Sequence, residues 1–494
     1  MTVYTASFLL EWKPAGSWVD ITASIAEVSG DLELSGNTDN ALSFGDASDL
    51  RCSVKTDDLT LQATAYLDVP IRFTPTISGV TVVAFTGIIA GRDRDQTSLT
   101  FACEGYQRLI ARTRAYSVAR YRRVVATATT VASVEDPDDV AYVGGLINEA
   151  LWRAGGRPLE QDFTYTTALF YYSVPEDAIL APEWSWLAGE NAWDECLKLA
   201  RASGGQLYQS ADGVVRYLQP LSFGSGTATY TFADTLAGAT NRQGVYGDLT
   251  EQGTGDLVVT KVMCSFVPRQ KQGIQEVIND TTPRLIPALE TTTITLEAQN
   301  PLASLLLSGG TLPFDAVKAT FLDGRPVVAG DLDITVTLKA QQITLAVENT
   351  SANPIAIHAL ILQGEPIVAG EAGTASAGSG TGTLTIPDNP YIQSQAHAER
   401  LCEMVLAFHG TTLPLRSATG CVYDPARSVG ETVSLTCSRW SLSAVAHLIT
   451  AKRHSDTGME ASYDLVPVVG LPKSADFFIV GSTSYTGLSR KLGF

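Results

Sequence analysis

Residues 193–217, WDECLKLARASGGQLYQSADGVVRY, constrain the fold more than any other stretch. Trp193, Cys196, Leu197 and Ala200 recur at three- and four-residue steps, the period of one buried helix face. The Gly204, Gly205 pair then stops the helix, because glycine accepts the left-handed geometry at a helix C-terminus. Residues 206–210 and 214–218 follow as two strands, joined across Asp212 and Gly213, a favoured pair for a two-residue hairpin turn. One amphipathic helix and a tight hairpin thus stand inside a long run of strands, and the question is what they join.

Residues 1–112 read as short strands with turns, the pattern of a small antiparallel barrel or sandwich. LTLQATAYL (59–67) alternates as a half-buried strand, VTVVAFTGIIAG is apolar on both faces, RDRDQ turns the chain, and SLTFACEG returns it to a short helix at 106–111. Residues 113–204 are mixed α/β: Val143, Leu146, Ile147, Ala150 and Leu151 form a helical stripe that Gly155 and Gly156 end, and TYTTALFYYSVP is strand-like. Residues 205–290 return to strands and read as the start of a second barrel with adjoining strands. Residues 291–385 form a β insertion, with Ile334, Val336 and Leu338 opposite Thr335, Thr337 and Lys339. It ends in EAGTASAGSGTGT (371–383), readable as a mobile loop or linker. Residues 386–470 carry a return helix, with Ala398, Leu401, Cys402, Val405 and Phe408 inside, Pro390 in its first turn and Gly410 at its end, and then complete the second barrel. Its final hairpin turns about 456–458, with Ala461, Tyr463 and Leu465 on one side. The tail 471–494 is too short for its own core and reads as a docking segment.

The 494 residues suffice for about three domains. Only 17% are charged, against a typical ~25%. This fits either a surface largely covered by neighbours or a β-rich surface of Thr, Ser and Gln. The net charge of −18 opposes nucleic acid as a main partner. Seven widely spaced cysteines, with no C-x-x-C, read as buried free thiols made in a reducing compartment. The N-terminus reads as a strand rather than a signal peptide, and no apolar run approaches the ~20 residues of a membrane span, so the expectation is a soluble product made in the cytoplasm.

Catalytic signatures are missing: there is no G-x-S-x-G, H-E-x-x-H or G-x-x-x-x-G-K-[ST]. His397-x-Glu399 lacks the P-C-x-x-C partner of a zinc deaminase, and the five histidines have no metal-ligand spacing. EDPDD (135–139) reads as a solvated helix start. No catalytic, cofactor or metal residue is assigned. RTRAYSVARYRR (112–123) holds five arginines. In so acidic a chain, Arg112, Arg114, Arg120, Arg122 and Arg123 read as a subunit or domain interface that meets carboxylates of a neighbour, with a solvated basic loop as the plainer reading.

Three segments, in order, resemble the central hub proteins of bacteriophage tails. VVAFTGIIAGRDRDQTSLTFACEGYQRLIAR is similar to the end of that family's first barrel. The 193–217 stretch resembles its helix, Gly-Gly, hairpin unit, a domain junction that feeds a second barrel. QAHAERLCEMVLAFHGTTLPLRSATGCVYDPARSVGETVSLTC resembles its return helix, strand and G-D-x-V turn, with Glu431 in place of the acid Asp. The resemblance implies a mainly β fold, two small antiparallel β-barrels of tail-hub type plus helical and β inserted domains. It also implies a homotrimer whose six barrels adapt a six-fold tail tube to a three-fold tip and help close the channel before DNA ejection. Implied partners are the distal tail ring or tail tube protein, the tape-measure protein's C-terminus, and tip or fibre proteins, with no membrane anchor and no stable nucleic-acid binding. The expected place is the virion tail tip, assembled in the host cytoplasm, and the expected role is structural and non-enzymatic. A carbohydrate-binding or polysaccharide-depolymerising β protein of the virion surface is the alternative.

Overall fold

The computed structural model describes residues 6–14, 17–33, 50–56, 67–77, 79–94, 99–121, 143–159, 168–174, 184–218, 228–252, 259–308, 310–409, 415–424, 426–427, 429–455 and 460–468. Strands dominate these residues, and the chain is mainly β with an α/β part. The expectations for residues 59–66, 135–139 and 471–494, for Gly410 and for the turn at 456–458 lie outside the described residues.

The largest sheet has fourteen strands. Its order is Asp248–Gln252, Leu415–Val422, Glu460–Pro467, Leu442–Ser455, Ile25–Glu33, Leu50–Thr56, Leu99–Glu104, Phe85–Arg94, Pro70–Ile77, Ala6–Trp12 and Val19–Asp20. Thr432–Cys437, Thr231–Ala233 and Val80–Thr81 pair off that path. N-terminal and C-terminal strands meet at an antiparallel seam, where Gly30, Asp31, Leu32 and Glu33 face His454, Arg453, Lys452 and Ala451.

The sheet curls on both sides of the seam. Five strand steps separate Leu442–Ser455 from Pro70–Ile77, roughly 24 Å in a flat sheet. Yet the rings of Phe73 and His454 stack 5.5 Å apart, so the first module closes on the seam strand. In the second module Val245, just before Asp248–Gln252, bridges to Ala233 at the far end of the strand order, and Tyr246 Oη donates to the Thr436 carbonyl (2.8 Å). One apolar cluster fills both modules: Leu10, Phe73 and Phe101 come from the first, and Phe232, Leu435 and Tyr463 from the second.

The α/β part packs helices Val143–Arg153 and Ala192–Ser203 on a sheet ordered Gly156–Pro158, Phe170–Ser173, Val214–Leu218, Gln206–Gln209. Val143, Leu146, Ile147, Ala150 and Leu151 are all buried, as the stripe predicts. Asn191 caps the second helix by accepting from the Asp194 N–H (2.8 Å), and Asp194 and Glu195 suit the positive helix end. Gly204 ends it with φ 69°, and a Cβ there would collide with Met404. Leu199 is fully buried while Leu197 is half-buried, because this helix is covered on two sides. Cys196 faces the first helix, and Ala202 faces the return helix Gln395–His409.

Here the hairpin departs from the expectation that it opens the second barrel. Val214–Leu218 runs parallel to Phe170–Ser173 and extends the α/β sheet, because Leu207 and Tyr217 bury against the helices. The second module's first described strand is Thr231–Ala233.

The β insertion begins earlier than expected, at Arg269–Lys271, which pairs with the end of Ile355–Ala369. That fifteen-residue strand pairs with the five other strands of a six-stranded sheet. A second sheet, Thr291–Glu297, Gln342–Asn349 and Leu332–Lys339, packs against it through Ile294, Leu296, Ile343, Leu345 and Val347.

Two further expectations change. The 371–383 stretch is not a loop: Gly373–Gly378 pairs with Lys261–Phe266, and Thr383–Ile386 pairs with the same strand on its other edge. Its small residues serve close packing. Ala375 and Ala377 lie under the return helix, and a Cβ on Gly378 (φ 75°) would collide with the Thr260 carbonyl. Pro390 does not open the return helix, which starts at Gln395. It sits in a turn set by Asn389, whose side chain accepts from the Tyr391 N–H (3.0 Å) and whose carbonyl accepts from the Ile392 N–H (3.1 Å).

Candidate assembly interface

The arginine-rich segment leaves helix Gln107–Ile110 and runs as strand Arg114–Tyr116 along Ala188–Asn191, then as Arg120–Tyr121 along Trp184–Ser185. Alternation sets its two sides. Ala115 and Ser117 are buried, and Ser117 Oγ accepts from the Leu187 N–H (2.8 Å), while Arg112 and Arg114 point to solvent. The Arg112 guanidinium forms an ion pair with Asp68 of the same chain, which raises its pKa further. Arg114 lies opposite Asn191. Arg120 lies opposite Ser185, and Arg122 and Arg123 fall outside the described residues. Arg112 and Arg114 are therefore exposed on one strip that is tied down at its start by Asp68.

Behind this strip the modules are locked by polar side chains that sequence reading did not single out. Gln209, in the hairpin, accepts from the Tyr106 N–H (2.5 Å) and donates to the Thr86 carbonyl (2.7 Å), which hooks the α/β part onto the first module. Gln393 pairs with Trp184 at both backbone groups (3.0 and 2.8 Å). Asn389 donates to the Lys198 carbonyl (2.7 Å), and His397 Nε2 lies 2.7 Å from the Ala202 carbonyl. Tyr391 Oη is 2.6 Å from Glu195 Oε2 and 2.8 Å from the Trp186 carbonyl. Burial pushes the Glu195 carboxyl up. A phenol has one proton, so Tyr391 donates to one of these two acceptors at a time. The one sequence signal for these contacts is amide and aromatic residues beside the helix termini.

A second polar cluster braces the seam. Lys452 is buried, and Nζ donates to the carbonyls of Asp424 (2.9 Å) and Arg427 (2.8 Å) while lying 4.2 Å from the Tyr423 ring centroid. Burial pushes its pKa down to about 7. Arg427 pairs with Asp424 (3.3 Å) and Glu431 and lies over Tyr230. His454 is pushed down to about 3 by burial, and its Nδ1 has no hydrogen-bond partner among the described residues. His447, pushed down to about 4 by burial, accepts from Arg416 at Nε2 (2.6 Å) and donates from Nδ1 to the Val445 carbonyl (2.8 Å).

These groups lie among packed side chains and carbonyls, which suits bracing rather than proton transfer to a substrate. Among the described residues, no group of three or more His, Cys, Asp or Glu is placed to hold a metal ion, and no helix is long and apolar enough to cross a membrane. Of the His397-x-Glu399 pair, His397 contacts Ala202, and Glu399 accepts from Gln395.

Several exposed apolar side chains stand at one end of the β insertion. Leu285 (55% exposed) flanks Ala356, Leu322 (64%) follows the Phe321–Ile355 pair, and Leu289 (71%) donates its N–H to Ser351. At about 3.3 Å per residue, Ile355–Ala369 places this end roughly 45 Å from the insertion's root. Leu289 also holds φ 58°, a left-handed conformation that is uncommon for a branched residue.

No family model matches the chain, and no curated protein matches it. Three solved structures show what it is similar to. The first is the 43 kDa tail protein of prophage MuSo2 from Shewanella oneidensis (10% identity, 94% of this chain and 100% of that one, TM-score 0.45). The second is the tail protein from Neisseria meningitidis MC58 (9% identity, 94% and 97%, TM-score 0.44). The third is the E. coli c3393 protein, described as a component of the type VI secretion system (10% identity, 93% and 76%, TM-score 0.37). These neighbours bear descriptions of tail or secretion-system components.

Proposed function

We propose that this chain is a structural, non-enzymatic protein of a phage tail tip, the trimeric hub that adapts a six-fold tube to a three-fold tip and helps close the channel before DNA ejection. The observation that carries this reading is one sheet curled into two modules about a common strand, Leu442–Ser455. A chain with two such modules offers two similar faces, so three copies offer six. The order of the three hub-like segments along the sequence supports the same reading.

In this arrangement the strip with Arg114, Arg120, Arg122 and Arg123 meets carboxylates of the next subunit, and Arg112 anchors it through Asp68. The ring of six modules receives the distal tail ring or tube protein, the channel holds the tape-measure C-terminus, and tip or fibre proteins attach below. The site of action is the virion tail tip, after assembly in the host cytoplasm.

Native mass spectrometry of the purified chain, alone and with its tail-tube partner, tests this. A trimer, or a trimer formed on addition of the partner, is expected. A monomer under both conditions, or a monomer that depolymerises surface polysaccharide, overturns it.

A further inference from the structure

The small-residue strand that composition suggested was a loop brings two cysteines together. Cys264 lies on Lys261–Phe266 with Ala375 as its register partner on Gly373–Gly378. Cys402 lies on the return helix above, and its Sγ donates to the carbonyl of that same Ala375 (3.7 Å). Both cysteines are fully buried in one apolar cluster, and the Cys264 Sγ donates to the Ser265 carbonyl (3.4 Å), so both thiols are held around the Cys264–Ala375 register pair. Ala375, Ala377 and Gly378 leave no bulk between strand and helix, so the helix backbone sits close to the sheet. That close approach is what a disulfide between a strand and an overlying helix requires, since its Cα atoms must come within ~7 Å.

We infer that Cys264 and Cys402 are a latent cross-link, a facing thiol pair that hydrogen peroxide converts to a disulfide tying the return helix to the three-stranded sheet. The Cys402 sulfur attacks one peroxide oxygen and the O–O bond breaks. This gives a sulfenic acid on Cys402 and releases hydroxide, which takes up the thiol proton as water. The Cys264 sulfur then attacks the Cys402 sulfur and displaces the hydroxyl, which leaves as a second water with the Cys264 proton. Two thiols are oxidised by two electrons and one peroxide is reduced. The two thiols shift one another: Cys264 beside it lowers the Cys402 pKa, while Cys402 and burial raise that of Cys264, so Cys402 is the attacking thiolate. Peroxide is scarcely larger than water, so it reaches such a pair through small local openings. Cys196 is the internal control, because burial pushes its thiol well up and its Sγ faces the Ile147 carbonyl of the first helix (3.9 Å).

The test treats the full-length reduced protein with hydrogen peroxide, blocks remaining thiols with N-ethylmaleimide after denaturation, and maps peptides without reduction. The expected result is a linked peptide pair containing Cys264 and Cys402 as the dominant cross-link, with Cys196 recovered as an alkylated thiol. The oxidised protein should also melt at a higher temperature, and dithiothreitol should reverse the shift. In Cys264→Ala the link disappears and Cys402 is trapped by dimedone as the sulfenic acid. Cys402→Ala loses the link without trapping at Cys264. Recovery of both cysteines as alkylated thiols, or a dominant link from either to another cysteine, overturns the inference.

Discussion

The first curled module closes around Leu10, Phe73, Ile89 and Phe101, with Thr56 and Thr86 as its buried polar side chains. The second holds Asp424, Thr432, His447, Thr450, Lys452, His454 and Asp464 out of water. The difference follows from the seam strand. Residues 447–452 of Leu442–Ser455 are buried in succession, as residues 85–90 of the first module are, but the seam strand also runs beneath Asp424 and Arg427. A strand with a core on one side and the 423–431 loop on the other must supply donors to that loop. Lys452 does so, at the cost of a buried ammonium.

Acid should separate the modules, and this is the largest effect expected. The unfolded chain protonates histidine near pH 6.5, whereas folded His454 and His447 resist until about 3 and about 4. The unfolded state therefore binds more protons below pH 6.5, and stability falls as pH drops from 6.5 toward 4 and 3. Each group contributes about 1.4 kcal/mol per pH unit, so together they remove roughly 6 kcal/mol by pH 4. Lys452 acts in another window: the unfolded side chain is protonated below about pH 10.5 and the folded one below about 7, so stability falls as pH drops through that interval. Denaturant titrations of the parent chain, His447→Gln with His454→Leu, and Lys452→Met should show the acid loss reduced in the double variant and the alkaline slope reduced in Lys452→Met. Parallel curves for all three would remove burial at the seam as the cause.

Truncation of the apolar module comes next. Phe101→Ala empties a site with no solvent exposure and is expected to cost about 3–5 kcal/mol. Because one cluster fills both modules, unfolding by hydrogen exchange should stay a single cooperative event across residues 99–104 and 460–467. Loss of protection in the first segment alone would mean that the modules are independent, and the contrast drawn above would be between two domains rather than two halves of one.

Helices and alternating strands are legible because their periods survive any packing: the stripe Val143, Leu146, Ile147, Ala150, Leu151 is buried, and in the alternating strand Ile334 is buried with Val336 and Leu338 half-buried against the same core. Residues 371–383 were misread because Gly and Ala signal both freedom and close approach, and only the overlying helix decides between them. The seam was illegible for a related reason. Lys452 and His454 mark a strand face as exposed in sequence, and nothing local announces that a second strand layer and a loop cover it. The arginine segment stood out by composition, but its first partner, Asp68, lies 44 residues away in the chain. The amides that lock the modules, Gln209 and Gln393, reach across 103 and 209 residues, so no spacing rule could find them.

Gln209 offers a sharper cut between the α/β part and the first module. Gln209→Ala leaves the Tyr106 N–H and the Thr86 carbonyl buried without these partners and is expected to cost about 1–3 kcal/mol. The loss should reach the hairpin Gln206–Gln209, Val214–Leu218 and helix Gln107–Ile110 while exchange in the β insertion is unchanged. Equal loosening of the insertion would show that the hairpin is no local hook.

Arg114 gives the smallest change in stability and the most direct reading of the interface. It is exposed on a strand whose opposite face is fully packed, so Arg114→Glu should alter the unfolding free energy by no more than about 0.5 kcal/mol. Arg112→Glu differs, because it places like charge beside Asp68 and loosens the strip within one chain. If the strip meets carboxylates of a second copy, Arg114→Glu shifts the native mass distribution from trimer toward monomer while the melting of the monomer fold stays put, and raised salt weakens the parent trimer in the same direction. An Arg114→Glu trimer as stable as the parent, in low and high salt alike, would assign the strip to solvent and move the search for the subunit contact to the apolar end of the insertion at Leu285, Leu289 and Leu322.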